Sequence, residues 1–316
     1  MDDGTLLAAV DLGSNSFRLE IGRFEHGRIQ RIEYHKETVR QGGGLDEARN
    51  LTTEAMQRGW DCLARFGERL SGFPLEHVRA VATQTLREAR NREDFLSRAR
   101  QLLGFPIDVI AGPEEARLIY LGVAHLLPPS DERRLVVDIG GRSTELILGQ
   151  HLEPQVTGSF KVGSVSWSQK YFPDGEFSEA AFEFAQVSAQ AVLDEALDSY
   201  PRTGWDRAYG ASGTVGAVED VLGGLGHPPG VVSREGLWTL REMLLQAGHV
   251  ERLRMGGLRE DRKPLIGGGL SVLLALFELL HIDQLQVARG ALRHGALFEM
   301  LDTNHTRWEA RSVQAG

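Results

Sequence analysis

Ala9 to Gly22 reads AVDLGSNSFRLEIG, and Val136 to Gly149 reads VVDIGGRSTELILG. Aligned without a gap, 127 residues apart counting from Asp11 to Asp138, the two share Val10/Val137, Asp11/Asp138, Gly13/Gly140, Ser16/Ser143, Leu19/Leu146 and Gly22/Gly149. Most of the remaining differences exchange one aliphatic residue for another. Each copy reads as strand, tight turn, strand. An aspartate stands where the first strand ends, and a Gly/Ser/Asn turn lets backbone N–H groups crowd toward an anion. One D-x-G turn is most simply a hairpin. Two matching copies point to duplicated halves whose hairpins can face each other across a phosphate, with Asp11 and Asp138 supplying the oxygens that a hard ion such as Mg²⁺ prefers.

Length and composition agree with duplication. The chain has 316 residues, and at about 150 residues per domain two domains are expected. With 41% apolar and 25% charged residues it is an ordinary globular sequence and not a disordered one. No apolar run approaches membrane-spanning length, and MDDGTLLAAVDLG opens with acids and runs straight into a strand, so neither a membrane span nor a signal peptide is expected and the compartment is read as cytoplasmic. The lone Cys62 has no disulfide partner and is expected to be a small buried hydrophobe. The ten histidines show no H-E-x-x-H or paired Cys/His spacing, and neither G-x-S-x-G nor G-x-x-x-x-G-K-[ST] occurs, which disfavours zinc, serine-nucleophile and P-loop chemistry. A formal charge of −9 argues against nucleic-acid partners. A phosphate substrate then requires cations gathered locally, as a metal plus Lys/Arg; Arg142 and Lys161 are candidates for a track along a polyanion.

Along the chain, Phe17 to Phe24 and Arg28 to Tyr34 continue an antiparallel sheet, followed by a glycine-rich loop over Gln41 to Leu45. Thr52 is expected to cap a helix bearing Met56, Trp60, Leu63, Phe66 and Leu70 on one face. Val78 to Ala82 reads as a strand ending in the polar turn Thr83-Gln84-Thr85, Asn91 as the cap of a helix reaching about Leu103, and Ile107 to Ile110 as a strand. Gly112-Pro113-Glu114-Glu115 opens a helix with proline in the first turn and acids at the positive end of the macrodipole. Pro128, Pro129 and Ser130 break it, and the domain boundary is placed there. The second half begins with a strand at Leu135 to Asp138, has another near Gln155 to Phe160, and carries helices at about Glu179 to Ser199, Arg234 to Ala247 and Leu265 to Leu280. Arg207 to Gly210 delivers Ala211-Ser212-Gly213-Thr214 to a helix start, which reads equally as an anion cradle and as a capped glycine turn. Gly267-Gly268-Gly269 is weaker evidence of the same kind, since such a run also serves close packing of a helix, and it is the one candidate for purine-site glycines. A strand at Leu285 to Ala288 and a helix at Ala291 to Leu301 are expected to close the second domain.

Taken together and in order, DLGSNSFRL, ATQTLREA, GPEEARLIYLGV, VVDIGGRSTEL, GASGT and GALRHGALFEM resemble the exopolyphosphatase and guanosine pentaphosphate phosphohydrolase family, over essentially the whole chain. The resemblance implies an α/β fold of two actin-like (ribonuclease H-like) domains, residues 1–127 and 128–301 with a tail over 302–316, and a cleft between the domains. It also implies dependence on Mg²⁺ or another divalent cation and removal of a terminal phosphate by water. By motif, Glu115 would be the general base. Asp138 would bind the metal with Asp11 assisting, and Ser14, Asn15, Ser16, Gly140, Gly141, Ser143 and Thr144 would grip phosphates. Arg87 would contact a phosphate, and Ser212, Gly213 and Thr214 would form a third contact. Phosphoryl transfer needs positioning and charge neutralisation more than covalent help, which this set supplies. Glu115 taken alone would be a helix-start acid, and Glu114 fits that bland reading.

Two departures from the family pattern stand out. Arg142 replaces the third glycine of D-I-G-G-G-S-T, where its side chain would either crowd the turn or add a phosphate contact. Longer members continue into helical C-terminal domains, so this chain is expected to be a short member or the N-terminal portion of a longer one, and processive handling of long chains is not implied. The leading expectation is an exopolyphosphatase acting on inorganic polyphosphate, with conversion of guanosine pentaphosphate to tetraphosphate as the near alternative. A kinase of the same fold and a non-enzymatic alarmone sensor rank below these. A homodimer is kept as an expectation for the assembly.

Overall fold

The first repeat folds as the hairpin its alternation implies. β1 (Leu6–Leu12) pairs antiparallel with β2 (Phe17–Glu25), and β3 (Arg28–Glu37) adds to β2. The computed structural model describes residues 1–301. The expected tail over 302–316 lies outside the described residues. Thr52 caps α1 (Thr53–Arg69) by accepting from Ala55 N, as expected. There follow β4 (Val78–Ala82), α2 (Gln84–Glu88), α3 (Arg92–Leu103), β5 (Ile107–Val109) and α4 (Gly112–Leu126). Thr83-Gln84-Thr85 is therefore not a bare turn but the opening of a short helix. Asn91 does not cap α3 with its side chain. That amide instead accepts from Leu51 N and donates to Leu51 O, fastening the segment before α1.

The second repeat rebuilds the same frame. β6 (Arg133–Ile139), β7 (Thr144–Gln150) and β8 (Glu153–Phe160) form the antiparallel part. α5 (Ser164–Tyr171), α6 (Glu179–Leu193), β9 (Arg207–Gly210), α7 (Gly213–Gly224), β10 (Val231–Ser233), α8 (Arg234–Ala247), α9 (Ile266–Leu279) and β11 (Gln284–Val287) complete it. α5 and β10 were not foreseen, both being short, and α6 ends before Ser199. Sheet orders are β3-β2-β1-β4-β5 and β10-β11-β9-β6-β7-β8, so the second sheet repeats the first with β10 added at its edge. β1, β4 and β5 run parallel, as do β6, β9 and β11. Both units thus carry the actin-like sheet that the resemblance implied.

The correspondence extends to single residues. Leu6↔Arg23 through Leu12↔Phe17 in the first hairpin match Arg133↔Gln150 through Ile139↔Thr144 in the second, pair for pair at the same spacing. Even the register shift recurs, between Ile21 and Gly22 and between Leu148 and Gly149.

The chain divides into two units, Met1–His125 with the described chain from Ala291 onward, and Leu126–Gly290. The division falls between His125 and Leu126, just before the prolines, and the helix α10 (292–301) joins the first unit instead of closing the second. Three features draw it there. Ala296, Leu297 and Met300 cover Leu7 and Ala9, the β1 face opposite the one that Ala8, Val10 and Leu12 turn toward α1 and α3. Gly122 and Gly295 let α4 and α10 approach until a Cβ on either would strike backbone. Glu20 on β2, 3% exposed, takes Arg293 Nε at 2.6 Å and lies 3.2 Å from His294 Nε2. Burial pushes the Glu20 carboxyl up, but the hydrogen bond and charge of His294 and the charge and hydrogen bond of Arg293 outweigh it and hold it at about 2, against an ordinary 4.5.

Candidate active site

In the first unit Asp11 is 6% exposed near the end of β1. Register places Arg18 opposite it, and Arg18 Nη1 donates to Asp11 Oδ2 at 3.1 Å. The turn between them is tied down by its carbonyls: Gly42 N donates to Ser14 O at 2.7 Å and Arg40 N to Asn15 O at 2.8 Å. Since a trans peptide directs its N–H opposite its carbonyl, the Asn15 and Ser16 N–H groups turn the other way. Ser14 and Ser16 are buried, and Ser14 Oγ accepts from Thr85 Oγ1 at 2.7 Å.

The second turn is built alike from different parts. Gly140 O accepts from Ser164 N (2.9 Å), and Gly141 O accepts from Val165 N (2.8 Å) and Ser166 N (3.1 Å). The first turn of α5 thereby holds the loop, and the Gly141 and Arg142 N–H groups turn away from it. Gly163 must be glycine for this, because a Cβ there would lie 2.6 Å from Arg142 N. The backbone at Arg142 stays outside the left-handed region, so replacing the third glycine brings no left-handed backbone strain. Ser143 and Thr144 are buried, and Thr144 Oγ1 donates to Val162 O at 2.6 Å.

The units diverge in charge. Asp138, half-buried near the end of β6, has Glu145 opposite it where Asp11 has Arg18. Glu145 is 1% exposed, and its Oε1 accepts from Ser159 Oγ at 2.8 Å. Directly opposed residues share a sheet face, and like charges so placed repel unless a cation lies between them. Among the described residues no group of three or more His, Cys, Asp and Glu could hold a metal. Two hard carboxylates, with water and phosphate oxygens completing the shell, are nevertheless what Mg²⁺ commonly takes from a protein, so the donor set fits.

Ser212 caps α7, its Oγ accepting from Thr214 N and Val215 N, each at 3.1 Å. Thr214 Oγ1 donates to Ile139 O at 2.8 Å, which pins the cradle to the end of β6. A Cβ on Gly213 would collide with the buried guanidinium of Arg262. Sequence reading missed Arg262, which sits in the charged run Arg259 to Lys263 and looks like solvated surface. It also missed Glu145, although the Arg18/Glu145 exchange inside an otherwise matching repeat was a readable signal. The Gly267 to Gly269 run is consumed by packing: Gly268 lies against Ser164 and Ser168 and Gly269 against Thr214, and all three are buried.

Glu115 lies in the first turn of α4, 7% exposed, and accepts from Arg87 Nη1 at 2.7 Å. Its neighbour Glu114 forms an outer ion pair with Arg117, whose hydrogen bond lowers the Glu114 carboxyl. Adjacent acids are thus separated into a surface partner and a buried carboxylate. Cys62 is buried as expected, and burial first, with the charge of Glu37, raises its thiol.

Residues 21–304 match the Ppx/GppA phosphatase family. A guanosine-5'-triphosphate,3'-diphosphate pyrophosphatase from Vibrio vulnificus is 47% identical over 296 residues, covering 94% of this chain and 59% of the relative. One from Vibrio cholerae is 43% identical over 310 residues, covering 98% and 62%. The chain thus spans less than two thirds of the length of these curated relatives. Among solved structures, an exopolyphosphatase from Cytophaga hutchinsonii gives a TM-score of 0.81 at 25% identity, covering 95% of this chain and 98% of that one. An Aquifex aeolicus Ppx/GppA family member gives 0.74 at 26%, covering 95% and 99%. No helix among the described residues is long and apolar enough to cross a membrane.

Proposed function

The chain belongs to the Ppx/GppA phosphatase family, and we propose that it is a metal-dependent phosphoric anhydride hydrolase that releases the terminal 5′-phosphate of guanosine pentaphosphate. The observation that carries hydrolysis is Glu115, a buried carboxylate whose Arg87 pairing leaves it anchored at a helix start. It orients the attacking water and accepts its proton. In the first unit the N–H groups of Asn15 and Ser16 offer donors to phosphate oxygens, and in the second those of Gly141 and Arg142 do so, with Arg262 over Gly213 as a further cation of that unit. Asp138 and Glu145 would hold Mg²⁺, which supplies neutralisation of phosphoryl charge when bound. Asp11, already neutralised by Arg18, is assigned to holding the first turn.

The substrate reading departs from the order expected from the motifs, which put polyphosphate first. The relatives at 43–47% identity bear the guanosine name, whereas the exopolyphosphatase likeness stands at 25%. A kinase loses support because the Gly267 to Gly269 run is filled by its own neighbours. Parallel assays of orthophosphate release from guanosine pentaphosphate and long-chain polyphosphate, with Mg²⁺, test the reading. Release from the nucleotide is expected to be at least tenfold faster in kcat/KM. Glu115→Ala is expected to cut it about a thousandfold while nucleotide binding holds. A reversed ratio restores the exopolyphosphatase reading, and tight binding without release by the native protein makes the chain a sensor.

A further inference from the structure

Resting on the role of Glu115 just given, we propose that Arg87 is a positioning residue for Glu115, itself oriented by Gln84, and is not a phosphate ligand. A guanidinium carries five N–H donors. Arg87 directs four inside its own unit: Nε and Nη2 to Gln84 Oε1 at 3.1 and 2.7 Å, and Nη1 to Ile110 O at 2.9 Å and to Glu115 Oε2 at 2.7 Å. Guanidinium recognition of phosphate draws its strength from two parallel donors on one edge. With one N–H left on Nη2, no edge of Arg87 offers two.

Each acceptor is itself fixed. Gln84 Nε2 donates to Glu88 Oε1 at 2.6 Å, which turns the amide oxygen toward Arg87. Ile110 follows β5, and its N–H donates to Ala82 O at the end of β4. The guanidinium is therefore clamped between α2 and the sheet edge, and it presents one donor to Glu115 at a set angle. Side-chain exposures of 17% for Arg87 and 9% for Glu115 leave little water to compete for that bond. Next to it on α2, Thr85 donates to Ser14 of the first turn, so one short helix sets both the anion loop and the carboxylate. Lysine would keep the charge beside Glu115 but lacks the fork that reaches Gln84 and Ile110 together.

The test uses guanosine pentaphosphate with Mg²⁺. Arg87→Lys is expected to lower kcat at least tenfold with KM within threefold, since the charge stays beside the carboxylate while the fork that fixes its angle is lost. Gln84→Leu, which leaves both charges in place, is expected to lower kcat threefold or more, again at unchanged KM. In a Glu115→Gln background, calorimetry reads binding alone, and adding Arg87→Lys is expected to leave Kd within threefold. A tenfold weaker Kd in that background, or a tenfold rise in KM at unchanged kcat, makes Arg87 a phosphate ligand and overturns the proposal. Wild-type turnover by Glu115→Gln alone is a separate result, which strikes the role of Glu115 and the proposal with it.

Discussion

The hairpin of β1 and β2 and the hairpin of β6 and β7 share register, turn and bulge, yet they set their aspartates opposite residues of different charge. Asp11 faces Arg18 and pairs with it, while the residue opposite Asp138 is Glu145. A second exchange lies two residues further on: Glu20, bound to Arg293 and His294 of α10, corresponds to Ile147, which is fully buried in the second sheet. Duplication therefore preserved the backbone and divided the labour. The first hairpin spends its charges on ion pairs that hold the unit together, whereas the second places two acidic residues opposite each other on one sheet face.

Making the second hairpin resemble the first gives the largest expected effect. Glu145→Arg should reduce Mg²⁺-dependent phosphate release about a thousandfold, several kcal/mol of lost charge stabilisation, with the circular dichroism spectrum unchanged. Activity within tenfold of wild type would erase the functional side of the contrast. Next, Glu20→Ile gives the first hairpin the residue of the second and leaves half-buried Arg293 without its carboxylate, at a cost of about 3 kcal/mol in urea unfolding at pH 7. Because the Glu20 carboxyl is held at about 2 in the fold, its contribution is present above 4.5 and fades as pH falls toward 2. The stability gap between wild type and variant should close over that window, and a gap constant down to pH 2 would show that Glu20 acts through packing alone.

Arg18→Glu should cost less, about 2 kcal/mol, since the Arg18 side chain is 21% exposed and part of its interaction is screened. The same variant should regain part of that stability on adding Mg²⁺, which thermal shift would detect. Smallest is Arg142→Gly, which restores the third glycine of the turn. With no left-handed backbone to relieve, it should destabilise, by about 0.5 kcal/mol from the freer unfolded chain together with whatever the side chain contributes. Stabilisation instead would mean that the arginine does strain the loop.

The frame was legible because it rests on local periodicity. Alternation marked β2 and β3, the hydroxyl of Thr52 marked the start of α1, and Val78 to Ala82, Arg207 to Gly210 and Arg234 to Ala247 fell where the pattern put them. Failures came where a distant partner decided the matter. The Asn91 side chain serves Leu51 in place of its own helix, and α10 belongs to the first unit because Leu7, Ala9 and Glu20 need its cover. The candidate site followed the same division. Asp11, Asp138, the two turns and Glu115 could be named from motifs, while the Arg87 clamp and the guanidinium over Gly213 depend on acceptors and neighbours far along the chain.

By itself the amino-acid order determined that this protein is duplicated, α/β and built around two acidic hairpins, since strand alternation and glycine turns are written within a few residues of one another. Only the tertiary structure decided that Asp11 pairs with Arg18, what holds Glu115 and where the last described helix docks. Ion pairing and close packing act through distance in space, and residues such as Glu20 and Arg293 lie far apart in sequence yet 2.6 Å apart in the fold.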